Sequence, residues 1–154
     1  MTGAETTMTL LRLFALMATA LVWAPGAAHL FELPGKIGLG REAYFTVQGI
    51  YAGWALFGIP ILAAILANLA LFLTERRRNI GAARWALASA LLIAASLAIF
   101  FVWVFPANQA TANWTAMPEN WETLRRHWEY GHAVNACIVF LALLATGLAV
   151  VRRG

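Results

Sequence analysis

Charged residues are scarce in this chain. Lys, Arg, Asp and Glu together make up 12% of its 154 residues, about half the share of a soluble domain. Cysteine is scarcer still. Cys137 stands alone inside an apolar block, which excludes an internal disulfide and reads as a small packing residue. There is no long polar stretch, no low-complexity tract and no convincing internal repeat. No long soluble portion is expected within these 154 residues. A nucleic-acid partner does not follow from the net charge of +4, because the basic residues do not lie on a soluble face. Arg76, Arg77, Arg78 and Arg84 share one short loop, and Arg152 and Arg153 sit near the end of the sequence.

What fills the sequence instead is hydrocarbon. Hydrophobic residues reach 62% and gather in four long blocks, the pattern of a multi-span membrane protein. The expectation is an all-α, polytopic membrane protein. Residues 1–154 form a single domain, a bundle of four transmembrane helices in contact with the lipid bilayer. The first span covers about residues 10–29 and continues towards Leu33, where Pro34-Gly35 ends it. Polar residues before it are expected to fray. Arg12, a short apolar run and Ala24-Pro25-Gly26-Ala27-Ala28 also fit a cleaved signal peptide, but the apolar face continues through Leu30, Phe31 and Leu33 and favours a retained span. Pro25 is expected to kink that helix, because its ring clashes with the Leu21 carbonyl.

The second span covers about residues 45–73, with a bend at Pro60. Its Gly49-Ile-Tyr-Ala-Gly53 is a GxxxG pattern that lets another helix approach closely. The third covers residues 85–105, with Trp85 and Trp103 as interfacial anchors, and Pro106 closes it. The fourth helix begins near Pro118 or Asn120 and runs to about Val151. That is longer than a bilayer needs, so its first turns project outward. The arginine loop and the C-terminal arginines are cytoplasmic under the positive-inside rule. Four spans then place both termini in the cytoplasm, and a bacterial plasma membrane is the expected location. Asn113-Trp114-Thr115 on the outer side is a glycosylation sequon that reads as inert.

Polar chemistry is concentrated at that outer side. Residues 105–135 hold three of the seven Trp and two of the three His. His29 and Glu32 are three apart, as are Glu129 and His132, so each pair shares a helical face. The pairs lie at similar depth, and His29, Glu32, Glu129 and His132 are candidate metal ligands, Glu-x-x-His being a pattern of di-iron bundles. Against this stands a structural reading, in which Glu32, Lys36, Arg41 and Arg125 form ion pairs and the His are hydrogen-bonded; it is the stronger of the two. On the fourth helix Trp121, Arg125, Trp128, His132, Asn135 and Val139 form one stripe that faces the other helices. Arg125 with Glu129, and Glu122 with Arg126, are spaced for helical ion pairs. Trp114, Trp121 and Trp128 fit an interfacial belt. Tyr44, Gln48 and Tyr51 reach the same level, and Asn108 can cap or cross-link helix ends.

Several of these residues carry a resemblance. Phe105-Pro106-Ala107-Asn108, then Asn120-Trp121, then Leu124-Arg125-Arg126-x-Trp128-x-x-x-His132 entering a final apolar helix resembles the anthrone-oxygenase-like family of small four-helix membrane proteins. His29-Leu-Phe-Glu32-Leu-Pro34-Gly-Lys36 and Tyr44-x-x-Val47-Gln48-x-x-Tyr51-x-Gly53-Trp54 resemble a bacterial branch of it. Asn135 departs from the family, which often has Arg at that place, and this weakens any anionic-ligand role. Fungal relatives are linked to oxidation of anthrones to anthraquinones. The resemblance implies an oxygenase-type oxidoreductase acting on a lipophilic phenolic or quinone-like molecule. His132 and His29 would be the catalytic bases. Trp128, Arg125, Asn108, Tyr51, Trp54 and Asn135 would bind substrate. No cofactor is required by that reading. A second reading is a non-catalytic accessory or lipid-interacting protein with a structural polar cluster. A third is a haem b protein with His29 and His132 as axial ligands.

Overall fold

The computed structural model describes residues 2–152; Arg153 of the expected topology signal lies outside them. Among the described residues there is no strand. The helices are α1 (Gly3–Lys36), α2 (Arg41–Gln48), α3 (Gly58–Glu75), α4 (Ile80–Ile99), α5 (Phe105–Ala110) and α6 (Trp121–Val151). Four segments are long and apolar enough to cross a membrane: Gly3–Lys36, Trp54–Glu75, Ile80–Ala110 and Trp121–Val151. The fold is an all-α four-helix bundle, and the chain is a multi-pass membrane protein. α1 packs on α3 and α6, and α4 packs on the same two, so the first and last helices touch.

Small residues bring the helices together. Ala15, Ala64, Ala67, Ala83, Ala86, Ala142 and Ala149 are buried, while Leu21, Leu66, Leu91 and Leu144 point outward. In lipid the large apolar side chains need no shelter, and close packing of small ones supplies the contact. At Gly26 a side chain would begin 3.4 Å from the Ala136 Cα, so α1 and α6 approach almost backbone to backbone there. Cys137 is exposed rather than packed inside, because its neighbour Ala136 takes the inward position.

Several boundaries differ from expectation. α1 starts at Gly3, not Leu10. Thr2 and Glu5 form a reciprocal capping box, with Thr2 N–H donating to Glu5 Oε2 at 2.7 Å and Glu5 N–H to Thr2 Oγ1 at 3.3 Å, which satisfies two N–H groups that would otherwise fray. α1 also runs through Pro25 and Pro34 to Lys36. Each proline removes one hydrogen bond, and burial of His29 and Lys36 holds the last turns in place.

The second span is broken. α2 passes into a 3₁₀ turn (Gly49–Tyr51), the chain bends at Gly53 with φ 84°, and a second 3₁₀ turn (Trp54–Phe57) leads into α3. Gly49 and Gly53 have nothing within 4 Å of where a side chain would stand. The GxxxG pattern therefore marks a change of direction, not a helix contact; Gly53 supplies a left-handed conformation that other residues adopt at a cost. Pro60 is the third residue of α3, where its missing N–H would be unpaired anyway. The arginine loop is tighter than expected: Asn79 caps α4, accepting from Ala82 N–H at 3.1 Å. At the other end of α4 the helix does not stop at Pro106. It widens into a π turn (Phe100–Val104), in which Phe105 N–H reaches back to Phe100 O. The extra residue moves the Pro106 ring off the preceding turn, and α5 continues to Ala110. α6 begins after Asn120, as expected.

Midway through the bundle sits a polar knot that the sequence reading missed. Thr19, Asn68, Ser89 and Thr146, one from each spanning helix, are fully buried. Asn68 Nδ2 donates to Thr19 Oγ1 at 3.1 Å and Thr146 Oγ1 donates to Asn68 Oδ1 at 3.0 Å. The Ser89 and Thr146 hydroxyls lie 2.7 Å apart. Interhelical bonds of this kind lock register where lipid offers no alternative partner.

Candidate functional site

The end of the bundle opposite the arginine loop gathers most of the residues singled out from the sequence. His29 from α1 and His132 from α6 stack, with ring centroids 4.0 Å apart and planes at 28°. Trp128, one turn before His132, meets it at 4.3 Å and meets His29 at 4.9 Å. Tyr51 and Trp54, delivered by the bend at Gly53, close on His29 at 4.5 and 5.3 Å. The result is an imidazole pair in an aromatic box. The Trp128 indole is fixed by its N–H, which donates to Asn108 Oδ1 at 2.8 Å; Trp114 donates to the same oxygen at 3.1 Å.

Trp114, Trp121 and Trp128 are buried, not a lipid-facing belt. Trp114 and Trp121 pack with Tyr44 and Phe45. The loop after α5 is forced to admit Trp114: Ala112, Asn113 and Trp114 all take left-handed φ values of 45–65°, strained for residues with side chains. The sequon asparagine belongs to this turn.

Beside the aromatic box lies an ionic one. Lys36 is buried at the last turn of α1. Its ammonium donates to Tyr51 Oη at 2.6 Å and stands 3.3 Å from Glu129 Oε1 and 3.5 Å from Glu32 Oε2. It also lies 4.6 Å from the Tyr51 ring centroid and 4.9 Å from that of Trp128. The Tyr51 hydroxyl donates to Glu32. On the far side of Glu129, Tyr44 donates to Oε1 at 2.9 Å, and Gln48 donates to the Tyr44 hydroxyl. Burial pushes both phenols well above the ordinary tyrosine value. For Tyr44 the Glu129 charge and then its hydrogen bond add to this; for Tyr51 the hydrogen bond to Glu32 does. Both therefore act as protonated donors.

Arg125 does not pair with Glu129. Its guanidinium donates to Leu39 O at 2.7 Å and lies over the Trp121 ring at 4.7 Å. Glu122 and Arg126 form no ion pair either. A helical pair is worth a few tenths of a kcal/mol, and for Arg125 the Leu39 carbonyl and the Trp121 ring outweigh it. The expected Glu32–Lys36 pair is present, whereas Arg41 pairs with Glu42. The expected hydrogen bonds of the His are not made: among the described residues none is found for His132, and His29 Nδ1 is buried without a partner. Gln48 Oε1, Glu129 Oε2, Arg125 Nε and Asn135 Oδ1 are also buried and unpartnered. The site thus joins His29, His132, Trp128, Tyr51, Trp54 and Asn108 in one contact set. Glu32 and Glu129 are linked to it through Lys36 and Tyr51, and Arg125 stands off to one side.

This geometry is poor for the two cofactors considered from sequence. Among the described residues no three His, Cys, Asp or Glu side chains are grouped to hold a metal ion, and the Lys36 ammonium occupies the space between the carboxylates. Axial haem ligands must leave a porphyrin between them, but the two imidazoles lie face to face at 4.0 Å. Lys36 reads from the sequence as half of an ion pair, not as the centre of this network. Its position one turn after Glu32 was the available signal. No family model, curated protein or solved structure matches the chain.

Proposed function

We propose that the chain is a membrane oxidoreductase of the oxygenase kind, acting on a lipophilic phenolic or quinone-like substrate at the outer interface of a bacterial plasma membrane. The observation that carries the reading is the imidazole pair: His29 and His132 in contact, walled by three aromatic rings, with His29 Nδ1 buried and unpartnered. An imidazole nitrogen that no protein group occupies, between aromatic walls, is free to meet a proton of a bound substrate. The resemblance to the anthrone-oxygenase-like family supplies the reaction type.

In this mechanism the flat substrate enters between helices and lies against Trp128, Trp54 and Tyr51. An imidazole of the pair removes a proton from the activated ring CH₂. The resulting carbanion adds dioxygen to form a carbon–oxygen bond, and the peroxide anion takes the proton back. The hydroperoxide then loses water as the second hydrogen leaves, giving the ketone: CH₂ plus O₂ becomes C=O plus H₂O. Asn108 positions the Trp128 wall through its indole N–H. Lys36, 4.9 Å from that wall, places a positive charge near the developing anion.

Oxygen uptake by purified protein with an anthrone substrate tests this. His132→Ala should abolish turnover while the helical content and unfolding temperature stay near wild type. A second reading is an accessory protein with a structural cluster. It is favoured by the Lys36, Glu32, Glu129 and Tyr51 network, which joins α1, α6 and the bend before α3. Loss of folding with His132→Ala would select it. Both termini face the cytoplasm in this proposal, from the arginine distribution. Reporter fusions at the C-terminus and within residues 109–118 should report opposite sides; the same side for both would overturn the orientation.

A further inference from the structure

At the other end of the bundle the arginines converge on a cleft. Arg84 and Ala88 of α4, with Trp85, Gly81 and Arg152 just past the end of α6, line an open cleft of about 350 Å³. Arg152 is held in place from two directions. Its backbone carbonyl accepts from Asn79 Nδ2 at 3.2 Å, and its guanidinium lies 5.9 Å from the Trp85 ring centroid. It also crosses Gly81: a side chain there would begin 3.0 Å from an Arg152 guanidinium nitrogen. The absence of a side chain at Gly81 leaves the cleft open. Among the described residues neither Arg84 nor Arg152 has a carboxylate partner. Among the described residues the acidic side chains at this end are committed elsewhere, Glu75 to Arg12 and Glu5 to its own helix cap. Arg76, Arg77 and Arg78 in the adjoining loop add further positive charge.

Two arginines lining one cleft suit a phosphate, which a guanidinium can meet with paired N–H donors. The cleft lies where a spanning helix meets the headgroup layer, and a Trp stands at its wall, as at membrane interfaces. Below it, exposed Leu91 and Leu148 offer apolar surface along which acyl chains can run. We propose that this cleft binds the phosphate of an anionic glycerophospholipid, with Arg84 and Arg152 as the phosphate ligands and Trp85 packed on the headgroup edge.

The test uses the full chain in nanodiscs of phosphatidylcholine alone, or with added phosphatidylglycerol, read by unfolding temperature and by lipids retained in native mass spectrometry. Wild-type protein should be more stable with phosphatidylglycerol and retain it. Arg84→Gln with Arg152→Gln should weaken retention roughly thirtyfold, from about 1 kcal/mol per arginine. Gly81→Leu keeps the charge but fills the cleft, and should abolish the preference equally. Arg76→Gln with Arg77→Gln removes the same charge outside the cleft and should have a smaller effect. If the loop variant loses as much as the cleft variant, or Gly81→Leu retains the lipid, the site is overturned. If inorganic phosphate added to phosphatidylcholine discs gives the same stabilisation, the cleft is a soluble-anion site and the lipid assignment fails.

Discussion

Replacing Lys36 with Met removes the one cation from the buried ionic box. In the native protein its ammonium lies 3.3 Å from Glu129 Oε1, and Glu129 is fully buried. Without it Glu129 keeps only the Tyr44 hydroxyl, and a buried carboxylate is left without a counter-charge. Removing one partner of a buried pair costs about 3–5 kcal/mol. For a chain of this size that corresponds to a fall in unfolding temperature of roughly 6–20 °C, measurable by circular dichroism in mild detergent. Glu129→Gln in the same protein removes the orphaned charge. The double variant should recover about 2 kcal/mol relative to the sum of the single losses. A Lys36→Met protein within about 1 kcal/mol of wild type, as for a solvent-exposed pair, would refute the buried-charge argument.

Three further outcomes are expected. Gly131→Ala should cost about 1–3 kcal/mol, because the added carbon meets Val104 Cγ2 at 2.9 Å and Val104 is fully buried; Val104→Ala should restore stability, and thermal unfolding of both checks it. Asn68→Leu should cost roughly 1–3 kcal/mol by breaking the interhelical bonds to Thr19 and Thr146, and an unchanged unfolding temperature would contradict it. The Tyr44 and Tyr51 phenols hold their protons above the ordinary value of 10.0, so their contribution to stability is full below that pH and is lost as pH rises through the folded values. Tyr44→Phe should therefore leave the tyrosinate absorbance near pH 10 unchanged; a smaller signal would show that Tyr44 already titrates there.

Much of the fold is written in hydropathy. Four apolar blocks give four spans, and the steps of four and three from Trp121 to Val139 put that stripe inward. Helix spacing also brought His29, Trp128 and His132 to one level. What was hidden depends on partners far along the chain. Lys36 and Glu129 look like separate interface charges until α1 and α6 pack. Thr19, Asn68, Ser89 and Thr146 are single polar residues in apolar runs, with no local period to mark them. Gly49 and Gly53 carry the same spacing whether they admit a helix or turn the chain. Pro106 reads as a stop unless the preceding turn can widen, and only the packed bundle decides that.

The central claim is that the two imidazoles form one site. Nuclear magnetic resonance on protein protonated only at its histidine rings measures this directly, with His127→Gln removing the exposed third ring. Centroids 4.0 Å apart predict a strong through-space cross-peak between the His29 and His132 ring protons, lost in His29→Ala. Two assigned rings with no cross-peak between them would place the imidazoles apart and contradict the shared site.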